Sequence, residues 1–220
     1  MITIDHAAIV RQTEAHVKVL MSGEQSGHDW WHVYRVWRIA IRLSEQESVD
    51  RLVVELAALL HDIADWKFHD GDETAGPRAA KEWLESSGVD NDTIEHVCHI
   101  VQHLSFKGVA VPTPMRTREG QVVQDADRLD AIGAIGVARA FAYGGYRGRP
   151  IFEPEVTPIL HSSAGEYFNG TGSTINHIYE KLLLLKGRMN TAAGKALVEE
   201  RHAFTECFLS QFLREWDGEA

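Results

Sequence analysis

Cysteine is scarce in this chain. Of 220 residues only Cys98 and Cys207 carry a thiol, so one bridge at most could form and no disulfide framework exists. Basic residues are outnumbered: 22 Lys and Arg face 32 Asp and Glu, giving a formal charge of -10 at pH 7. That deficit argues against broad binding to nucleic acid polymers, which depends on cations neutralising phosphates. Small anionic substrates stay compatible with it, because a bound cation reverses the local field. No run of about 18 apolar residues occurs, so no segment is read as membrane-spanning. The opening residues Met1-Ile2-Thr3-Ile4-Asp5-His6 lack the basic and apolar regions of a secretory signal. With so few thiols, a cytoplasmic protein is expected. Also missing is any sustained alternation of apolar and polar residues, the period of a half-buried strand.

Helical periodicity is what the chain does have. Apolar residues recur at that spacing in Val33, Val36, Trp37, Ala40, Ile41 and again in Leu52, Leu56, Leu59, Leu60, Ile63, so the fold class is all-α. The pattern predicts helices over 4–21, 29–44, 48–66, 75–88, 91–104, 119–143, 173–187 and 191–216. Ser48 is placed to cap the third and Asp90 or Asn91 the fifth, while Gly88 ends the fourth. Val111-Pro112-Thr113-Pro114 reads as an extended connector, since each proline disfavours helix at the residue before it. Tyr143 to Gly172, rich in Gly and Pro, is expected to be a long binding loop.

One apolar run contains an acid without a cationic partner. In Val53-Val54-Glu55-Leu56-Ala57-Ala58-Leu59-Leu60-His61-Asp62-Ile63-Ala64-Asp65 there is no Lys or Arg, and burying an isolated carboxylate is costly. A divalent cation shared by His61 and Asp62 resolves the conflict. If helix continues through the pair, the two side chains diverge by about a quarter turn and Asp65 falls on the sector between them. A coordination shell needs another imidazole and another carboxylate. His32, in Gly27-His28-Asp29-Trp30-Trp31-His32-Val33-Tyr34-Arg35-Val36, and Asp127, in Gln124-Asp125-Ala126-Asp127-Arg128-Leu129-Asp130-Ala131-Ile132-Gly133, are available.

The order His, His-Asp, Asp among helices resembles the HD-domain phosphohydrolase superfamily, named after its central pair. His-x-x-x-His-x-x-Arg-Val at 28–36, Leu-Leu-His-Asp-Ile-Ala-Asp at 59–65, Asp-Ala-Asp-Arg-Leu-Asp-Ala-Ile-Gly at 125–133 and Tyr-Glu-Lys-Leu-Leu-Leu-Leu-Lys at 179–186 look like the small bacterial HD hydrolases. Some of that branch split nucleoside triphosphates into monophosphate and pyrophosphate. The resemblance implies one HD domain over 1–220. Its metal-binding core would cover about 20–145, with the loop at 143–172 and the helices at 173–216 completing pocket and core.

By that resemblance His32, His61, Asp62 and Asp127 are the ligands of one divalent ion. Mn or Mg suits a phosphate substrate in use, and Fe, Co, Ni or Zn suit the donor set. Asp65 is expected to orient or deprotonate water, with Asp70 in support or in an acidic surface loop. Arg128 would contact phosphate or form a salt bridge to Asp125 or Glu119, and His103 would touch phosphate or water. Four residues after His99, His103 could also grip a second ion with it, though one metal is favoured. Arg147 and Arg149, set among glycines, can fork onto phosphate or belong to solvated surface. Lys181 and Lys186 close the far side of the pocket or edge an amphipathic helix. His28 is read as a cap or as a support to the ligands.

The function implied is hydrolysis of a nucleoside or deoxynucleoside triphosphate to the monophosphate and pyrophosphate. A 5'-nucleotidase-type phosphomonoesterase, a di-iron oxygenase and a non-catalytic nucleotide-binding module are the alternatives. The partner is a small phosphorylated molecule, with no nucleic acid polymer and no membrane, and the C-terminal helices leave room for a homodimer.

Overall fold

The computed structural model describes residues 5–23, 27–64, 72–106, 111–160 and 172–219. All regular structure among them is helical, in agreement with the periodicity. The order is α1 (His6–Leu20), α2 (Trp30–Ser44), α3 (Arg51–Leu60), α4 (Ala75–Ser86), α5 (Asn91–His103), α6 (Arg118–Asp130), α7 (Gly133–Tyr146), α8 (Thr174–Glu180), a 3-10 helix (Leu182–Arg188) and α9 (Ala192–Trp216). The chain forms two compact units, Met1–Ser105 with Thr113–Ala126, and Phe106–Pro112 with Asp127–Ala220.

In the first unit α3 is the central element. Leu52, Val53, Val54, Leu56, Ala57, Ala58, Leu59 and Leu60 are all buried, and α1, α2 and α5 pack on it. Each fully buried leucine contributes about 1.5–3 kcal/mol by leaving water. Its one acidic residue with a resolved environment, Glu55, accepts from Trp37 Nε1 at 2.8 Å and from Arg51 Nε at 2.8 Å. Asp50 rather than Ser48 caps the helix, accepting from the backbone N–H groups of Leu52 and Val53, so the helix begins at Arg51, later than the expected 48. It also ends early: His61 is the C-cap residue and 61–64 form a turn, where the periodicity ran on to 66. An apolar run fixes which face is buried, but not where the backbone stops bonding i to i−4.

Elsewhere in this unit the caps agree with the sequence. Asp90 accepts from the Thr93 N–H at 3.0 Å and starts α5. Gly88 follows α4 with φ +72, the left-handed conformation that glycine adopts without strain. The proline-bearing connector at 111–117 carries no regular structure.

In the second unit α9 packs on α7 and on the 3-10 helix, and α8 packs on α7 and the 3-10 helix. The single helix expected over 119–143 is broken between Asp130 and Gly133, where Gly133 has φ +75 and its N–H donates to Thr205 Oγ1 at 3.0 Å. The expected 173–187 helix likewise splits at Lys181, whose φ of -133 interrupts the turn. The long loop is shorter than read. Helix α7 reaches Tyr146, and the Thr174 and Ile175 N–H groups donate to the carbonyls of Pro150 and Ile151. Asn176 Nδ2 and Glu180 Oε1 then bind the Val156 carbonyl and the Ile159 N–H, each at 2.8 Å. Residues 161–171 lie outside the described residues.

Candidate metal centre

The first unit gathers two imidazoles and a carboxylate from α2 and from the turn after α3. Asp29 caps α2 by accepting from the His32 N–H at 3.0 Å, which places His32 in the first turn. Its side chain is 1% exposed. His61, also 1% exposed at the side chain, sits where α3 ends, and its Nδ1 donates to the Ala58 carbonyl at 2.8 Å. That bond consumes the Nδ1 proton and leaves Nε2 as a lone pair facing the site, the arrangement typical of ligating histidines.

The three donor atoms then form a nearly equilateral triangle. His32 Nε2 lies 3.2 Å from His61 Nε2 and 3.3 Å from Asp62 Oδ2, and His61 Nε2 lies 3.5 Å from the same oxygen. Ligands about 2.1 Å from one cation stand roughly 3.0 Å apart in cis octahedral geometry and roughly 3.4 Å apart in tetrahedral geometry. The observed edges of 3.2–3.5 Å span the tetrahedral spacing and lie a few tenths of an ångström above the octahedral one, so the residues fit a divalent ion. The donor set of two imidazoles and one carboxylate suits first-row divalent metals. Burial pushes the Asp62 carboxyl up. His61 above all, then hydrogen bonds with His28 and His32 and the charge of His28, outweigh it and hold the group well below the usual carboxylate range.

His28 is the residue whose part the sequence left open. Its Nδ1 lies 2.9 Å from Asp62 Oδ2, and its ring stands edge-on to His32 with centroids 5.4 Å apart. His28, His32 and Asp62 each offer a ligand atom within 4.8 Å of the others. It is not the cap of α2, which is Asp29. The sequence signal for it is the i−4 spacing to His32.

Asp127 is half-buried on α6, within the second unit. Asp65 and Asp70 lie outside the described residues. His103, at the exposed end of α5, donates from Nδ1 to the His99 carbonyl at 2.8 Å and stacks on the His99 ring at 4.4 Å. Rings held face to face in this way do not point their nitrogens at one another. Arg128 is buried and donates to the Arg188 carbonyl. Arg147 and Arg149 flank the Tyr143 ring at 5.9 and 5.8 Å. Lys181 and Arg188 lie over the Phe106 ring at 5.5 and 4.9 Å, while Lys186 pairs with Glu199 at 2.7 Å.

Known proteins align with this chain over nearly its whole length. Residues 30–132 match the HD domain family. The protein YpgQ of Bacillus subtilis, described as uncharacterized, is 37% identical over 209 residues, covering 94% of this chain and 93% of its own. A solved protein of Lactobacillus plantarum superposes with a TM-score of 0.86 at 36% identity, covering 99% of this chain and 100% of its own. An HD-superfamily hydrolase of Bacillus thuringiensis does so with a TM-score of 0.74 at 42% identity, covering 96% and 98%. YpgQ has also been solved in complex with ADP, with a TM-score of 0.76 and coverage of 96% and 97% at 32% identity. On matches of this extent, and on a His-Asp pair set against a second histidine, the chain belongs to the HD-domain hydrolase superfamily.

Proposed function

We propose that the protein is a metal-dependent phosphohydrolase that cuts nucleoside or deoxynucleoside triphosphates between the α and β phosphates, releasing monophosphate and pyrophosphate. The observation that carries this reading is the triangle of His32 Nε2, His61 Nε2 and Asp62 Oδ2, with edges of 3.2–3.5 Å. The ADP complex of YpgQ supports a nucleotide as the substrate class.

His32, His61 and Asp62 would hold the cation, with Asp127 as the further ligand that the family pattern supplies. Held there, a divalent ion would supply Lewis-acid polarisation of a phosphoryl oxygen and offset negative charge. Asp65 takes the proton of the attacking water, with Asp70 in support; both roles rest on sequence order. Arg147, Arg149 and Lys181 are assigned to the polyphosphate. Arg128, whose guanidinium also donates to the Arg188 carbonyl, is assigned to the polyphosphate as well. His103 is assigned to phosphate or water contact. Catalysis by such a group of residues is positioning plus charge stabilisation.

The test is a panel of nucleoside and deoxynucleoside triphosphates with Mg, Mn, Co or Ni, with products separated by chromatography. Equimolar monophosphate and pyrophosphate are expected, with both lost in Asp62→Ala. Orthophosphate released from monophosphates would instead indicate a phosphomonoesterase. Silence across the panel would overturn the proposal.

A further inference from the structure

The Asp62 carboxylate has two oxygens, and the site uses only one of them. Oδ2 faces His32 Nε2 at 3.3 Å and His61 Nε2 at 3.5 Å, and the same oxygen accepts from His28 Nδ1 at 2.9 Å. A carboxylate on a short side chain has a soft terminal torsion, so which oxygen points inward is decided by its hydrogen bonds. An oxygen atom also offers more than one lone pair. His28 occupies one of those on Oδ2 and leaves the other directed at the two imidazoles.

The backbone places His28 to do this. It lies just before α2, between Gly27 with φ +85 and the cap residue Asp29. The His28 ring is only 21% exposed, and it rests edge-on against His32 with an interplanar angle of 77°. That contact restricts its rotation, with Nδ1 presented to the carboxylate.

We propose that His28 is a positioning residue: it fixes Asp62 as a one-oxygen ligand through Oδ2 and thereby sets the affinity of the metal centre. The inference rests on the reading of His32, His61 and Asp62 as ligands. Its geometry is independent of what the bound ion then does to substrate. Partners that orient a ligating side chain typically account for about 10–100-fold in metal affinity.

The experiment measures Mn binding to the purified full-length chain by loss of the free-ion electron paramagnetic resonance signal. It compares the parent with His28→Leu and His28→Asn, each checked for helicity by circular dichroism. The asparagine amide reaches about where Nδ1 stands and can still donate. His28→Leu is expected to weaken Mn binding about 10–100-fold, and His28→Asn to recover most of that loss. Electron spin echo measurements on the Mn-loaded protein are expected to count two coordinated imidazoles in both the parent and His28→Asn. Equal affinity in all three proteins would overturn the role of His28 while leaving the metal centre standing. Three imidazoles in the parent and two in His28→Asn would make His28 a ligand and overturn the positioning claim. Failure of the parent to bind Mn would remove the metal centre itself, and this inference with it.

Discussion

A carboxylate that is 11% exposed and has no cationic side chain paired with it among the described contacts must be stabilised by imidazoles, and Asp62 touches three. Removing the carboxylate therefore unbalances the histidines as well, which is why Asp62→Ala is the sharpest control for activity. A different histidine adds to acid sensitivity in the same unit. His16 stacks on Trp83 with centroids 3.7 Å apart and ring planes within 6°, and burial lowers its pKa from 6.5. The folded state thus binds this proton more weakly than the unfolded chain does. Its contribution to stability is complete above about pH 6.5 and is lost as pH falls through the lower folded value. His16→Phe keeps the stacking and cannot titrate. Its melting temperature is expected to fall less than the parent's between pH 7 and pH 5, and parallel curves would refute this. At this scale the sequence pointed to His32, His61 and Asp62, which the fold brings together, because an acid in an apolar run is conspicuous and the family pattern supplies the order. It was silent on the contact between His28 and Asp62, since a separation of 34 positions hides what only folding brings together.

At the scale of the element, periodicity covered every described helical segment, fused two pairs of them and misjudged where several stop. Helix α3 was read through to 66 because Ile63 continues the apolar spacing, yet the His61 ring takes the Ala58 carbonyl and the backbone turns away. The break after α6 was missed for a related reason: Gly133 and Gly136 sit in a segment whose apolar residues keep helical spacing. Helix α7 offers a paired test. A Cβ on Gly136 would meet the carbonyl carbon and oxygen of Ala131, whereas a Cβ on Gly145 meets nothing within 4 Å. Gly136→Ala is expected to cost about 1–3 kcal/mol through overpacking, and Gly145→Ala to stabilise by up to about 1 kcal/mol through helix propensity. Urea midpoints of the two variants read these directly, and equal midpoints would count against the packing described here.

For the whole molecule, the last crossing between the two units falls inside α6, between Ala126 and Asp127. No linker marks that crossing in the sequence, because a continuous helix carries the chain across and needs neither glycine nor proline there. His32, His61 and Asp62 all belong to the first unit, so bound metal should stabilise that unit. At a hundredfold excess over the dissociation constant, a ligand specific for the folded state adds about 2.7 kcal/mol. For a chain of this length that corresponds to a rise of roughly 5–10 °C in melting temperature. Calorimetry with Mn and then with a chelator should show the rise and its reversal in the parent, and neither in Asp62→Ala.

The acceptor that orients His61 is a main-chain carbonyl at a buried alanine. Every amino acid supplies that oxygen, so exchanging the side chain at position 58 cannot delete it. A saturation library there should respond to side-chain size alone, with Gly and Ser keeping metal affinity while bulkier replacements fail by crowding. The tautomer of the metal-facing imidazole is in that sense written into the polypeptide itself and is shielded from genetic drift.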